Sequence, residues 1–166
     1  MRKINTILLI GACGSGKTWV MNELLKNVLD TKKAKVGLNS FRIDEIKKVL
    51  ILGIYDGTTF EGSDKLSMGV MADVDKLKAI QGKHNLTIIA EGDRFTNATF
   101  IKKFNPFIIK ISDLGEVGRL KRNSSQSERH IKSILTRVTN IKENILVNNS
   151  SDALEIIKKI LTYEKN

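Results

Sequence analysis

The chain has 166 residues, 41% hydrophobic and 28% charged, with a single proline, which suits one globular domain and excludes a disordered or collagen-like chain. Its longest apolar runs, residues 7–10 and 49–54, fall far short of the roughly 20 residues of a membrane span, and its start does not read as a signal peptide. Cys13 is the only cysteine, so no intrachain disulfide is possible and a reducing cytoplasm is expected; 28 Lys and Arg against 18 Asp and Glu give +10, which favours a polyanionic or phosphorylated partner.

Residues 5–10 form a short β-branched apolar run stopped by Gly11, the pattern of a buried strand in a parallel sheet. Val20, Leu24 and Val28, with Met21 and Leu25, recur at helical spacing and predict a helix from 17 to about 30. The stretches 32–42 and 47–55 suit two strands, with 43–50 open to a helical turn instead. Residues 53–62 read as a loop, and Leu66, Val70, Val74 and Leu77 predict a helix over about 65–81. Strands follow at 86–90 and 107–111, separated by a short helix that Thr96 would cap and that ends before Pro106. A short helix around 115–122 precedes one started by the capping-box form Ser125-Gln126-Ser127-Glu128 and running to about Asn144. A last strand at 145–147 leads to a final helix from Asp152. The alternation predicts a single three-layer α/β domain with a mostly parallel sheet.

Gly11-Ala12-Cys13-Gly14-Ser15-Gly16-Lys17-Thr18 fits G-x-x-x-x-G-K-[ST], between a predicted strand and a predicted helix. Its amides can cradle phosphates at a helix start, Lys17 can reach the β- and γ-phosphates, and Thr18 can hold magnesium, so ATP and Mg²⁺ are expected. Glu91-Gly92-Asp93-Arg94 follows a buried strand, where a carboxylate would support the hydrated metal. Glu91 suits that role, Asp93 a second magnesium contact or a base, and Arg94 a phosphate contact. Asp56, just after the apolar stretch 47–55, suits a general base toward a hydroxyl acceptor, with Lys65 and the loop's hydroxyls holding that acceptor. Arg119, Arg122, Arg129 and Arg137 lie on two consecutive helical stretches and could close over a transferring phosphoryl group. Cys13 reads as loop filler, and His84 and His130 lack the company of a metal site or triad. Asn148-Asn149 suits either a contact to the nucleotide base or a helix cap.

These features resemble the nucleotide-kinase-like P-loop kinases over nearly the whole chain. Within that superfamily, Leu52-Gly53-Ile54-Tyr55-Asp56-Gly57, Gly62-Ser63-Asp64-Lys65-Leu66-Ser67, Glu91-Gly92-Asp93-Arg94 and Thr136-Arg137-Val138-Thr139-Asn140 look like a group of small bacteriophage kinases. That group includes kinases of 5-hydroxymethyluracil in phage DNA. The resemblance implies a P-loop kinase fold with a small arginine-bearing lid over about 115–144. It also implies transfer of the ATP γ-phosphate to a base hydroxymethyl group in DNA, with Asp56 or Asp93 near that hydroxyl and Lys17, Glu91, Arg119 and Arg122 as catalytic groups. A nucleoside or nucleoside-monophosphate kinase is the alternative, and a P-loop ATPase or nucleotide-dependent binding module is a third reading.

The surplus charge is unevenly spread: residues 1–50 carry 10 basic and 4 acidic groups, 51–112 carry 8 and 7, and 113–144 carry 7 and 4. Beyond the arginine run, Lys32, Lys33, Lys35, Arg42, Lys47 and Lys48 form a basic stretch that no ATP site requires. It would serve as a DNA contact if it faced the acceptor.

Overall fold

The apolar run at the start becomes β1 (Thr6–Gly11), buried along its whole length. A strand buried on both faces needs neighbours on both edges, and β1 lies between β5 (Thr87–Glu91) and β6 (Phe107–Ile111), parallel to each. The computed structural model describes residues 3–57, 61–66, 68–121 and 123–163. Among these, a seven-stranded sheet runs β2-β3-β4-β5-β1-β6-β7, completed by β2 (Lys32–Val36), β3 (Asn39–Asp44), β4 (Val49–Leu52) and β7 (Ile145–Val147). β4, β5, β1, β6 and β7 are parallel, whereas β2 and β3 form an antiparallel extension at one edge.

Alternating residues of the strands feed two cores. Ile7, Leu9, Val49, Ile51, Ile89 and Ile109 pack beneath α1 (Lys17–Glu23) and α6 (Ser150–Tyr163). Leu8, Ile10, Leu50, Leu52, Ile88 and Ala90 face α2 (Val74–His84), α3 (Ala98–Phe104) and α5 (Glu128–Asn140). The layers are therefore helix, sheet and helix, as the alternation predicts. A short α4 (Glu116–Lys121) buries none of its residues.

Several expected elements differ in detail. The first helix passes into a π-helical turn, Leu24–Val28, before β2. The weakly alternating stretch 32–42 is not one strand but spans a hairpin, because the chain turns at Gly37, with φ of 60°, and Leu38. The stretch 43–50 is the end of β3, a tight turn and the start of β4, with no helix. Leu66, Val70, Val74 and Leu77 are all buried as their spacing predicts, yet only Val74 onward is α-helical. Before it the backbone makes 3₁₀ turns at Ser63–Lys65 and Met68–Asp73, in a stretch rich in Gly, Ser and Asp, which are poor helix formers. Asn97 rather than Thr96 caps α3, accepting from Phe100 N, and Ser127 rather than Ser125 caps α5, accepting from His130 N. α5 ends at Asn140 rather than Asn144, and α6 starts two residues before Asp152.

Candidate active site

The 11–18 loop leaves the carboxyl end of β1, the end at which open parallel sheets bind ligands. Gly14 and Gly16 take φ of 84° and 92°, which a side chain resists. Gly16 caps α1, so the unsatisfied amides of a helix start lie in this loop. Lys17 folds back over it, its Nζ donating to the carbonyls of Gly11 at 3.0 Å and Ala12 at 2.8 Å. Ser15 Oγ is buried against Gly11 and has no hydrogen-bond partner among the described residues.

Glu91 ends β5 and pairs in register with Leu9, which puts its carboxylate beside the loop. It is only 3% exposed, and a buried carboxylate needs polar company. Tyr55 Oη donates to Glu91 Oε1 at 3.2 Å. A Cβ on Gly62 would overlap Glu91 Oε1 and come within 3.6 Å of Thr18 Oγ1. The Thr18 hydroxyl and the Glu91 carboxylate therefore border the same spot. Hard oxygen donors of this kind fit magnesium, which takes one or two protein groups and completes its shell with water and phosphate. Among the described residues, no three His, Cys, Asp or Glu side chains gather into a larger metal site.

Lys17, Thr18, Glu91 and Asp93 line one cleft with Gly11, Cys13, Gly14, Ser63 and Thr96, and Ile134 and Val138 of α5 wall its far side. The enclosed part of the cleft is about 60 Å³, room for a few waters. Asp93 lies in a 3₁₀ turn, Asp93–Phe95, where Arg137 of α5 forms an ion pair with its Oδ1. Asp56 pairs with Lys65 at 2.5 Å. The two expected acceptor residues thus lie together, but neither lines the cleft, and Arg94 does not line it either.

The arginine run separates once the helices are placed. Arg119 donates from Nη1 to the carbonyls of Cys13 and Leu114, both at 2.7 Å. α4 approaches the loop closely because Gly118 is a glycine: a Cβ there would run into the carbonyl of Gly14. Arg122 lies outside the described residues, as do residues 58–60, whose hydroxyls were candidates for the acceptor. Arg129 is exposed, and Arg137 pairs with Asp93 at the cleft without lining it. Arg137 is also exposed and lies beside, not on, the buried stripe of Ile134 and Val138 on α5. Tyr55 lies in the run Leu52–Gly57 but is given no role there; its link to Glu91 spans 36 residues. Asn149 is a cap: its Oδ1 accepts from Asp152 N at 2.9 Å.

The basic stretch also divides. β3 runs antiparallel to β4, so the turn between β2 and β3 rises at the cleft end of the sheet, while Lys47 and Lys48 fall at the opposite end. Lys32 pairs with Glu45, and Lys47 Nζ with the carbonyl of Val28. Lys33 and Lys35 are exposed and share one face of the hairpin with Ser40 and Arg42, on the side of α1.

Comparison of the chain with protein-family models, curated proteins and solved structures gave no match. Among the described residues, no helix is long and apolar enough to cross a membrane.

Proposed function

We propose that the chain is a magnesium-dependent ATP:hydroxyl phosphotransferase of the P-loop kinase fold, with α4 and α5 as its lid, acting in the cytoplasm. The observation that carries this reading is the meeting of Lys17, Thr18 and the buried Glu91 in one cleft at the carboxyl end of β1. The amides of the 11–18 loop would cradle the phosphates, and Lys17 would exchange the carbonyls of Gly11 and Ala12 for phosphate oxygens. Thr18 and Glu91 would hold magnesium, which when bound neutralises charge on the phosphates.

Asp93 is the better base because it lines the cleft, whereas Asp56 does not. Its carboxylate takes the proton of the acceptor hydroxyl as that oxygen bonds to the γ-phosphorus and the bond to the β–γ bridging oxygen breaks, leaving ADP. Arg137 would then leave Asp93 for the phosphoryl oxygens, where charge spreads in the transition state. Asp56 with Lys65 is assigned to the acceptor side, on the loop after β4.

The acceptor we propose is the hydroxymethyl group of a 5-hydroxymethylpyrimidine, 5-hydroxymethyluracil first, in phage DNA. The motif resemblance supports it, together with the exposed Lys33 and Lys35 on a hairpin that rises at the cleft end of the sheet. Extruding a base from a duplex costs a few kcal/mol, which phosphate contacts could offset. A nucleoside or nucleoside monophosphate as acceptor is the second reading, favoured by the apolar wall that Ile134 and Val138 place across the cleft.

The test is incubation with γ-labelled ATP and magnesium against 5-hydroxymethyluracil DNA, unmodified DNA and a panel of nucleosides and nucleotides. Label on the modified DNA is expected, with affinity falling steeply as salt rises. Label only on a free nucleotide selects the second reading, and phosphate release with no labelled acceptor selects an ATPase.

A further inference from the structure

Besides the Asp56–Lys65 pair, three sets of contacts among the described residues fasten the loop that leaves β4. Its base is closed by Ile54 N to Gly62 O at 3.1 Å and Gly62 N to Ile54 O at 2.7 Å. Asn22 of α1 donates from Nδ2 to Glu61 Oε2 at 2.7 Å, and Glu61 Oε1 accepts from the Gly57 amide. Tyr55 Oη, the third fastening, reaches out of the loop to Glu91 Oε1.

Two glycines clear the ends of that third contact. Gly53, with φ of 141°, lies against the Tyr55 ring: a Cβ there would come within 2.7 Å of Cε2 and 2.9 Å of Oη. Gly62, with φ of 97°, lies against Glu91 Oε1 itself. A side chain at either position would have to displace the tyrosine or the carboxylate. The backbone on both sides is thus shaped around this one hydrogen bond, and the same loop carries Asp56.

We propose that Tyr55 is a positioning residue that sets the orientation of Glu91 toward magnesium, through a contact held in place by the fastenings of residues 54–57 and 61–62. The proposal rests on the reading of Glu91 as a magnesium-supporting carboxylate. A carboxylate has a broad, nearly two-fold terminal torsion, so an oxygen held by a phenol hydroxyl fixes which way the group faces. Partners of this kind around metal-supporting groups change metal affinity by about 10- to 100-fold when removed.

Trp19, the only tryptophan, follows Thr18 directly and is 43% exposed, which gives a signal independent of turnover. The full chain saturated with ADP is titrated with magnesium, followed by Trp19 fluorescence and by calorimetry, for the wild type, Tyr55→Phe, Asn22→Ala and Glu91→Gln. Tyr55→Phe keeps the ring and loses the hydroxyl. Its magnesium midpoint should rise about tenfold, with ADP affinity in chelator unchanged and kcat recovered at saturating magnesium. Asn22→Ala, which frees Glu61, should move the midpoint the same way by less, and it carries the test if Tyr55→Phe does not fold. An unchanged midpoint in these variants, with Glu91→Gln displaced, overturns the positioning role and leaves the magnesium reading of Glu91 standing. An unchanged midpoint in Glu91→Gln overturns both. A kcat that stays depressed at every magnesium concentration, with no shift in midpoint, would mean a merely structural tyrosine.

Discussion

On one side of the cleft, Lys17 bonds to main-chain carbonyls, Glu91 is buried, and α4 rests on the 11–18 loop through glycine backbone and the Arg119 guanidinium. On the other side, the two aspartates sit in ion pairs open to solvent: Asp56 with Lys65, 44% and 27% exposed, and Asp93 with Arg137, 30% and 46% exposed. Pairs of that kind are worth about 0–1 kcal/mol and are screened by salt, so their members can change partners cheaply. The buried Glu91 and the close glycine backbone contact of α4 cannot. The difference suits a donor side built in advance and an acceptor side that rearranges around its substrate.

The largest expected effect lies on the preorganised side. Lys17→Ala should cut phosphate transfer by about 10²–10³-fold or more, since it removes a cation aimed at the transferring group. Near-normal turnover in a labelled-ATP assay would break the assignment of that side as the donor site.

Next come the two aspartates, which sharpen the comparison within the acceptor side. Asp93→Asn should lower kcat by about 10²-fold while ATP binding persists, as expected for loss of a general base. Asp56→Asn should chiefly raise KM for the acceptor. The reverse pattern would move the base to Asp56 and make Asp93 a holder for Arg137.

A smaller effect is expected where α4 meets the 11–18 loop. In an exposed helix, Gly→Ala adds roughly 1 kcal/mol of helix preference. At Gly118 the new methyl meets the carbonyl of Gly14, and backbone cannot step aside as a side-chain tip can. Gly118→Ala should therefore displace α4 and weaken nucleotide binding several-fold, as read by Trp19 fluorescence, with little loss of thermal stability because α4 buries none of its residues. Tighter binding would mean that α4 obstructs the loop.

The same contrast explains what the sequence made legible. Strands β1 and β5 announce themselves because burial on both faces leaves apolar runs. The 11–18 loop and Glu91 were visible because backbone shape and strand ends impose residue types at fixed spacing. The hairpin of β2 and β3 was hidden, since an edge strand of sequence Lys-Lys-Ala-Lys-Val carries little hydrophobic signal. Tyr55 and Arg137 act through partners 36 and 44 positions away, so local spacing gives no hint of those contacts. Much of the sheet and the 11–18 loop were thus written locally, whereas the contacts of Asp93 and Glu91 depend on where α5 and Tyr55 come to lie.

How firmly α5 rests is open to a last and smallest test. Just beyond its end, Glu143 Oε2 pairs with Lys110 of β6 at 2.6 Å, and Lys110 also donates to the carbonyl of Ile141. The hydrogen bond from Lys110, with help from a backbone hydrogen bond at Glu143, holds the Glu143 carboxyl below its ordinary value. A carboxyl lowered in the folded state stabilises the fold above its unfolded value and stops doing so as pH falls through the folded one. Glu143→Gln should therefore be slightly less stable than the wild type at neutral pH in urea titrations, and the gap should close below about pH 4. A gap that persists in acid would mean that packing, not the ionised carboxylate, anchors this end of α5, and the acceptor side would then be less dependent on charge than its ion pairs suggest.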